Sequence, residues 1–274
     1  MKKKPSALPA QDTISVLVAT ILLAYTLTHF VPNTAIVFDL TILLVYLLAS
    51  IIFSTLVAVL VICLTATGTA WMLREHPTVD DSPSTFVHWL LPSLTSMVLM
   101  LTIGQLPFGG IWWVAAAVSG AVMMLVLTAE YCVLDPANPY YQAAEMGITA
   151  LSFALFLILA IAAHASEIRL FYRIPFLSLA ALLVFLRVHH LRHHGMWAFP
   201  HGAVVFLLIG ELAAGFHYWP MESIPYGIAL VGPLYSLMEL SSRIQRAADQ
   251  PVSIHTLSMP ALLWVLAWFF AYLL

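Results

Sequence analysis

The chain has 274 residues, of which 62% are hydrophobic and only 8% charged, with a net charge of −3 and a mean hydropathy of +0.97. A soluble domain carries about a quarter of its residues charged and could not hide this much apolar surface, so lipid is the expected solvent for most of the chain. The small net charge gives no sign of a nucleic-acid or other highly charged partner, and none is expected.

Continuous apolar runs such as Ile42–Leu64 and Leu155–Ala163 exclude a barrel, whose strands alternate apolar and polar residues. They predict an all-α, polytopic transmembrane helical bundle. Nine spans are expected, near 13–31, 40–72, 87–106, 110–133, 143–163, 174–192, 198–216, 223–241 and 255–274. About 20 residues of helix cross a hydrocarbon core of ~30 Å. The whole of 1–274 then reads as a single integral membrane domain.

The first span follows Met1-Lys2-Lys3-Lys4, which has the look of a signal-peptide basic region. It lacks a small-residue cleavage site and is read as retained. Pro32-Asn33 ends it. The second run, Leu40–Leu73, is uncharged and without Gly or Pro before Gly68. It is longer than a bilayer core, yet it holds no turn chemistry for a hairpin. Basic residues decide between the two. With one long second helix and a cytoplasmic N-terminus, Lys2, Lys3, Lys4, Arg74, Arg187, Arg192, Arg243 and Arg246 lie inside, and only Arg169 and Arg173 outside. That is the asymmetry of cytoplasmic loops, and it favours one helix; the expected location is a bacterial cytoplasmic membrane.

Later breaks carry their own punctuation: Pro107-Phe108-Gly109-Gly110, Asp135-Pro136-Ala137-Asn138-Pro139, Gly195 and Asp249-Gln250-Pro251. Pro92 and Pro233 fall inside spans and predict kinks. Ala116 with Gly120, and Gly210 with Ala214, have the small-xxx-small spacing of close helix crossings. Cys63 and Cys132 sit in apolar blocks without CxxC spacing and read as packing residues.

Glu211 is the sharpest single residue. It lies about 20 Å into the seventh span, where an ionisable group is costly and marks function by default. It is either a proton- or substrate-responsive group or a structural acid bonded to Ser, Thr or Tyr on another helix. Glu130, Glu239 and Arg187, with Asp135 and Glu145, could line a cytoplasmic vestibule, or could pair and snorkel at helix ends. Glu239 and Arg243 have i, i+4 spacing. On the outer side gather Asp39, His29, His164, Glu167, Arg169, Arg173, His217 and Glu222.

Arg187-Val188-His189-His190-Leu191-Arg192-His193-His194, followed by His201, is the densest polar feature. It serves either as an interfacial cap that attracts anionic lipid headgroups, or as a transition-metal site using His pairs one turn apart, or as a bis-His haem site, for instance His190 with His201. The run His190–His194 resembles one HxxHH box of membrane di-iron desaturases and hydroxylases. Those enzymes need several boxes and this chain has one. Val118-Ser119-Gly120 resembles part of the GxSG motif of rhomboid proteases, with Ala117 in place of the first Gly. GxGD, HExxH, DxxD and the Walker A loop are absent, so ATP hydrolysis through a Walker A loop is not expected. Whether the chain is an enzyme stays open, with no activity and no cofactor the leading expectation beside the metal and haem alternatives.

Thr65-Ala66-Thr67-Gly68-Thr69-Ala70-Trp71-Met72-Leu73-Arg74-Glu75-His76-Pro77, with His88-Trp89-Leu90-Leu91-Pro92, resembles uncharacterised multi-span bacterial membrane proteins. That resemblance implies a membrane bundle and no activity. The leading expectation is a permease-like protein for a small solute or a proton-coupled process. The alternatives are a non-catalytic subunit of a membrane complex, or a His-ligated metal or haem enzyme. Membrane lipids and other membrane proteins are the expected partners.

Overall fold

The computed structural model describes residues 8–27, 40–74, 76, 87–104, 106–107, 109–166, 169–193 and 196–246, together with 261–262, 264–265, 267–269 and 272. The expected ninth span, Lys2–Lys4, Glu167, His194 and the ends of several loops thus lie largely or wholly outside the described residues. Among those described there is no strand. The elements are α1 (Gln11–Leu27), α2 (Leu40–Arg74), α3 (Val87–Gly104), α4 (Gly110–Val133), α5 (Tyr141–Ala165), α6 (Leu170–Arg192), α7 (Phe199–His217) and α8 (Ser223–Arg246).

The long apolar run is one helix. Leu40–Arg74 continues for 35 residues without a break, about 52 Å of rise, as expected for a segment with no turn residue in its first half. Among the described residues six helices are long and apolar enough to cross a membrane: the Val57–Arg74 part of α2, and α3, α4, α5, α6 and α7. Their outward faces are apolar too. Ile111, Val114, Val118 and Leu125 follow a helical stripe on α4 and are 57–70% exposed, a surface that lipid tolerates and water does not. Buried hydroxyls turn inward on their own helices. Thr65, Thr95 and Ser152 donate to the carbonyls of Val61, Leu91 and Ile148 at 2.7–2.8 Å, so these three hydroxyls are satisfied within their own helices.

The helices group into two compact units, Met1–Ala144 and Glu145–Leu274. In the first, α1 packs on α2 and α4 around Ile21, Tyr25, Val61, Trp112, Met123 and Leu127. The buried Tyr25 hydroxyl donates to the Ser96 carbonyl at 3.0 Å. Ala116 and Gly120 are both buried on α4, and a Cβ at Gly120 would stand 2.9 Å from Leu22 of α1. The small-residue spacing therefore marks a real close approach. The Asp135–Asn138 turn is held by Asx bonds, from Ala137 N–H to Asp135 and from Tyr140 N–H to Asn138, each 2.9 Å.

In the second unit α6 and α7 lie closest. A Cβ at Gly202 would meet Leu182 at 2.8 Å, and one at Gly210 would meet Ser178 Oγ at 2.6 Å. Gly227 likewise lets α8 approach Ile161 and Leu157 of α5. Pro175 and Pro233 lie inside α6 and α8.

Candidate functional site

The sequence-predicted residues fall into separate groups. Glu211 stands on the exposed face of α7 and forms part of the wall of a cavity of about 170 Å³ with Leu208, Leu212, Pro233, Leu237 and Trp264. Every neighbour in that wall is apolar. Among the described residues Glu211 has no hydrogen bond or ion pair, so no Ser, Thr or Tyr of another described helix satisfies it.

Glu130 is fully buried and its Oε2 lies 2.8 Å from His88 Nδ1. This joins α4 to the start of α3 in the first unit. Glu239 sits at the far end of α8 and accepts from Arg243 Nε at 2.8 Å, with Arg192 at 3.8 Å. Arg187 is buried on α6. Glu239, Arg192 and Arg243 thus form an ion-pair group inside the second unit, of the kind that ties helix ends together.

The histidine run is arranged by stacking. His189 is buried and lies face to face with His193, 4.4 Å between ring centres, as the i, i+4 spacing predicts. His190 packs on Trp197 at 4.7 Å, His201 is half-buried on α7, and His194 lies outside the described residues. Among the described residues no group of three or more His, Cys, Asp or Glu could hold a metal ion. Outside the helices, His76 meets Tyr131 edge to face at 4.5 Å. Burial lowers its pKa below the ordinary imidazole value, and the charge of Asp135 partly opposes this.

A more polar cavity than that beside Glu211 lies elsewhere. At the end of the second unit where α5 and α7 finish and α6 and α8 begin, about 570 Å³ is lined by His164, Ala165, Arg169, Leu170, Arg173, His217, Trp219, Met221 and Ser223. Arg173 is only 4% exposed. Its Nη1 donates to His217 Nδ1 at 3.1 Å, so that nitrogen carries no proton and the neutral ring holds its proton at Nε2. Arg173 also bonds the Tyr226 hydroxyl, which in turn donates to the Ala213 carbonyl at 3.3 Å. His164 Nδ1 lies 3.2 Å from Ser223 Oγ. Arg173 Nε is buried with no hydrogen-bond partner among the described residues. The sequence gathers these residues on one side of the membrane but does not pair them, because His217 and Ser223 lie 44 and 59 positions from their partners.

A family model described as "Protein of unknown function (DUF5656)" matches residues 32–274. No curated protein and no solved structure matches the chain.

Proposed function

The chain belongs to DUF5656, a family described only as of unknown function, and from that premise we propose a permease-like protein of the bacterial cytoplasmic membrane. It crosses nine times with its N-terminus in the cytoplasm, and it passes a small solute in a proton-responsive manner. Glu211 carries this reading. A carboxyl midway along an apolar helix costs about 3 kcal/mol or more if it faces only lipid. This one borders a cavity between α7 and α8, beside the internal Pro233. A helix broken at proline can shift its two halves with little loss of hydrogen bonding, and that motion would open or close the space beside the acid. Reconstituted vesicles test it. Solute flux or its coupling to a pH gradient changes in Glu211→Gln while the variant still inserts; equal behaviour in every flux assay removes the proposal.

The exposure of Glu211 on the unit's own surface also favours a second reading, in which another membrane protein covers that face and the chain is a non-catalytic subunit. A fixed partner retained in mild detergent supports this, and a stable lone chain contradicts it.

A further inference from the structure

We infer that the cavity around Arg173 binds an oxyanion, the phosphate group of a small solute or of a lipid headgroup, independently of what Glu211 does. A guanidinium cannot lose its proton under any ordinary condition. Burying one without a counter-charge is strongly unfavourable. Arg173 is buried, yet its described partners, His217 Nδ1 and the Tyr226 hydroxyl, are neutral acceptors that leave the charge standing. Its Nε–H is unused.

The other polar groups at the space point the same way. Arg169 stands exposed at its lip as the residue that caps α6, and its side chain makes no capping bond. Ser223 and His164 offer a hydroxyl and an imidazole. The N-terminal ends of α6 and α8, helices of 23 and 24 residues, both open here and add their positive dipole ends. Among the described lining residues there is no Asp or Glu. The nearby Glu222 instead lines an adjoining cavity with Trp268 and Tyr272. Two arginines, two helix starts and no acid among the described lining residues suit a phosphate oxyanion, which Arg grips with parallel hydrogen bonds. The volume lies in the usual range of organic ligands, about 300–1,000 Å³, rather than that of a bare ion.

The test uses the full chain in an uncharged detergent, titrated with inorganic phosphate and with dihexanoyl phosphatidylglycerol. Binding is read from tryptophan fluorescence, to which Trp219 at the cavity wall contributes, and from calorimetry. Wild type binds at least one probe, Arg173→Gln loses it, and Arg169→Gln weakens it about tenfold, the worth of one charge-assisted contact. Arg169 is exposed, so its variant stays informative if Arg173→Gln fails to fold. Binding of free phosphate assigns the site to a soluble anion; binding of the lipid alone assigns it to a headgroup. The inference is overturned if neither probe binds, or if Arg169→Gln binds both as wild type does. It is also overturned if binding arises only in Glu167→Gln, which would make the chain's own carboxylate the occupant.

Discussion

Replacing Gly210 by Ala adds one methyl group at the tightest point between α6 and α7. Its Cβ would lie 2.6 Å from Ser178 Oγ, with Ile174 at 3.5 Å and Ser178 Cβ at 3.8 Å. Only the first contact is a clash. Overpacking of this size costs about 2 kcal/mol, while exchanging Gly for Ala inside a helix returns about 1 kcal/mol, so the net loss is about 1 kcal/mol. Gly147 on α5 has nothing within 4 Å of its added Cβ, and the same substitution there should gain up to about 1 kcal/mol. Two chemically identical changes therefore differ by about 2 kcal/mol. Removing the clashing oxygen with Ser178→Ala should restore Gly210→Ala, a coupling of about 1–2 kcal/mol between the two sites. Unfolding of the purified protein by dodecyl sulfate, followed by tryptophan fluorescence, measures all four variants. If Gly210→Ala stabilises as much as Gly147→Ala, the helices are not in contact there and the packing argument fails.

Glu130→Leu removes the buried carboxyl that His88 meets at 2.8 Å and should cost about 1–3 kcal/mol in the same assay; no measurable loss speaks against that contact. Glu239→Ala removes a partly exposed acid shared by Arg243 and Arg192, so a loss of about 1 kcal/mol or less is expected, shrinking further in high salt. His76 is a base whose folded pKa is lowered, so the folded state resists its protonation. Its contribution is present above the ordinary value of 6.5 and is lost as the pH falls below it. Melting at about pH 7 and about pH 5 should show that loss, and His76→Gln should flatten it. Glu211→Gln should leave the melting temperature nearly unchanged, since among the described residues the carboxyl touches no polar partner, while altering flux in vesicles.

Much of the architecture was readable because lipid makes the rules few. The unbroken α2 followed from the lack of any turn residue before Gly68, and the limits of α4 from Gly109-Gly110 at one end and Asp135-Pro136 at the other. Ala116 and Gly120 could be named as a contact because small side chains have little other use inside an apolar helix. Two things could not be read. The direction in which Glu211 points was hidden because α7 is apolar on all its faces, so no periodicity distinguishes an inner from an outer side. The Arg173 cavity joins residues from α5, α6, α7 and the start of α8, and each histidine alone looked like an interfacial side chain. Only the unpartnered Nε of a buried guanidinium sets the group apart from ordinary snorkelling.

The whole account depends on α7 crossing a membrane with Glu211 between its ends. Met196 before α7 and Tyr218 after it are 59% and 80% exposed, and each can carry a single cysteine once Cys63 and Cys132 are replaced by Ala. With a thiol reagent that does not cross membranes, Tyr218→Cys should react in intact cells and Met196→Cys only after permeabilisation. Reaction of both from the same side would mean that α7 does not span the bilayer, and would contradict the account.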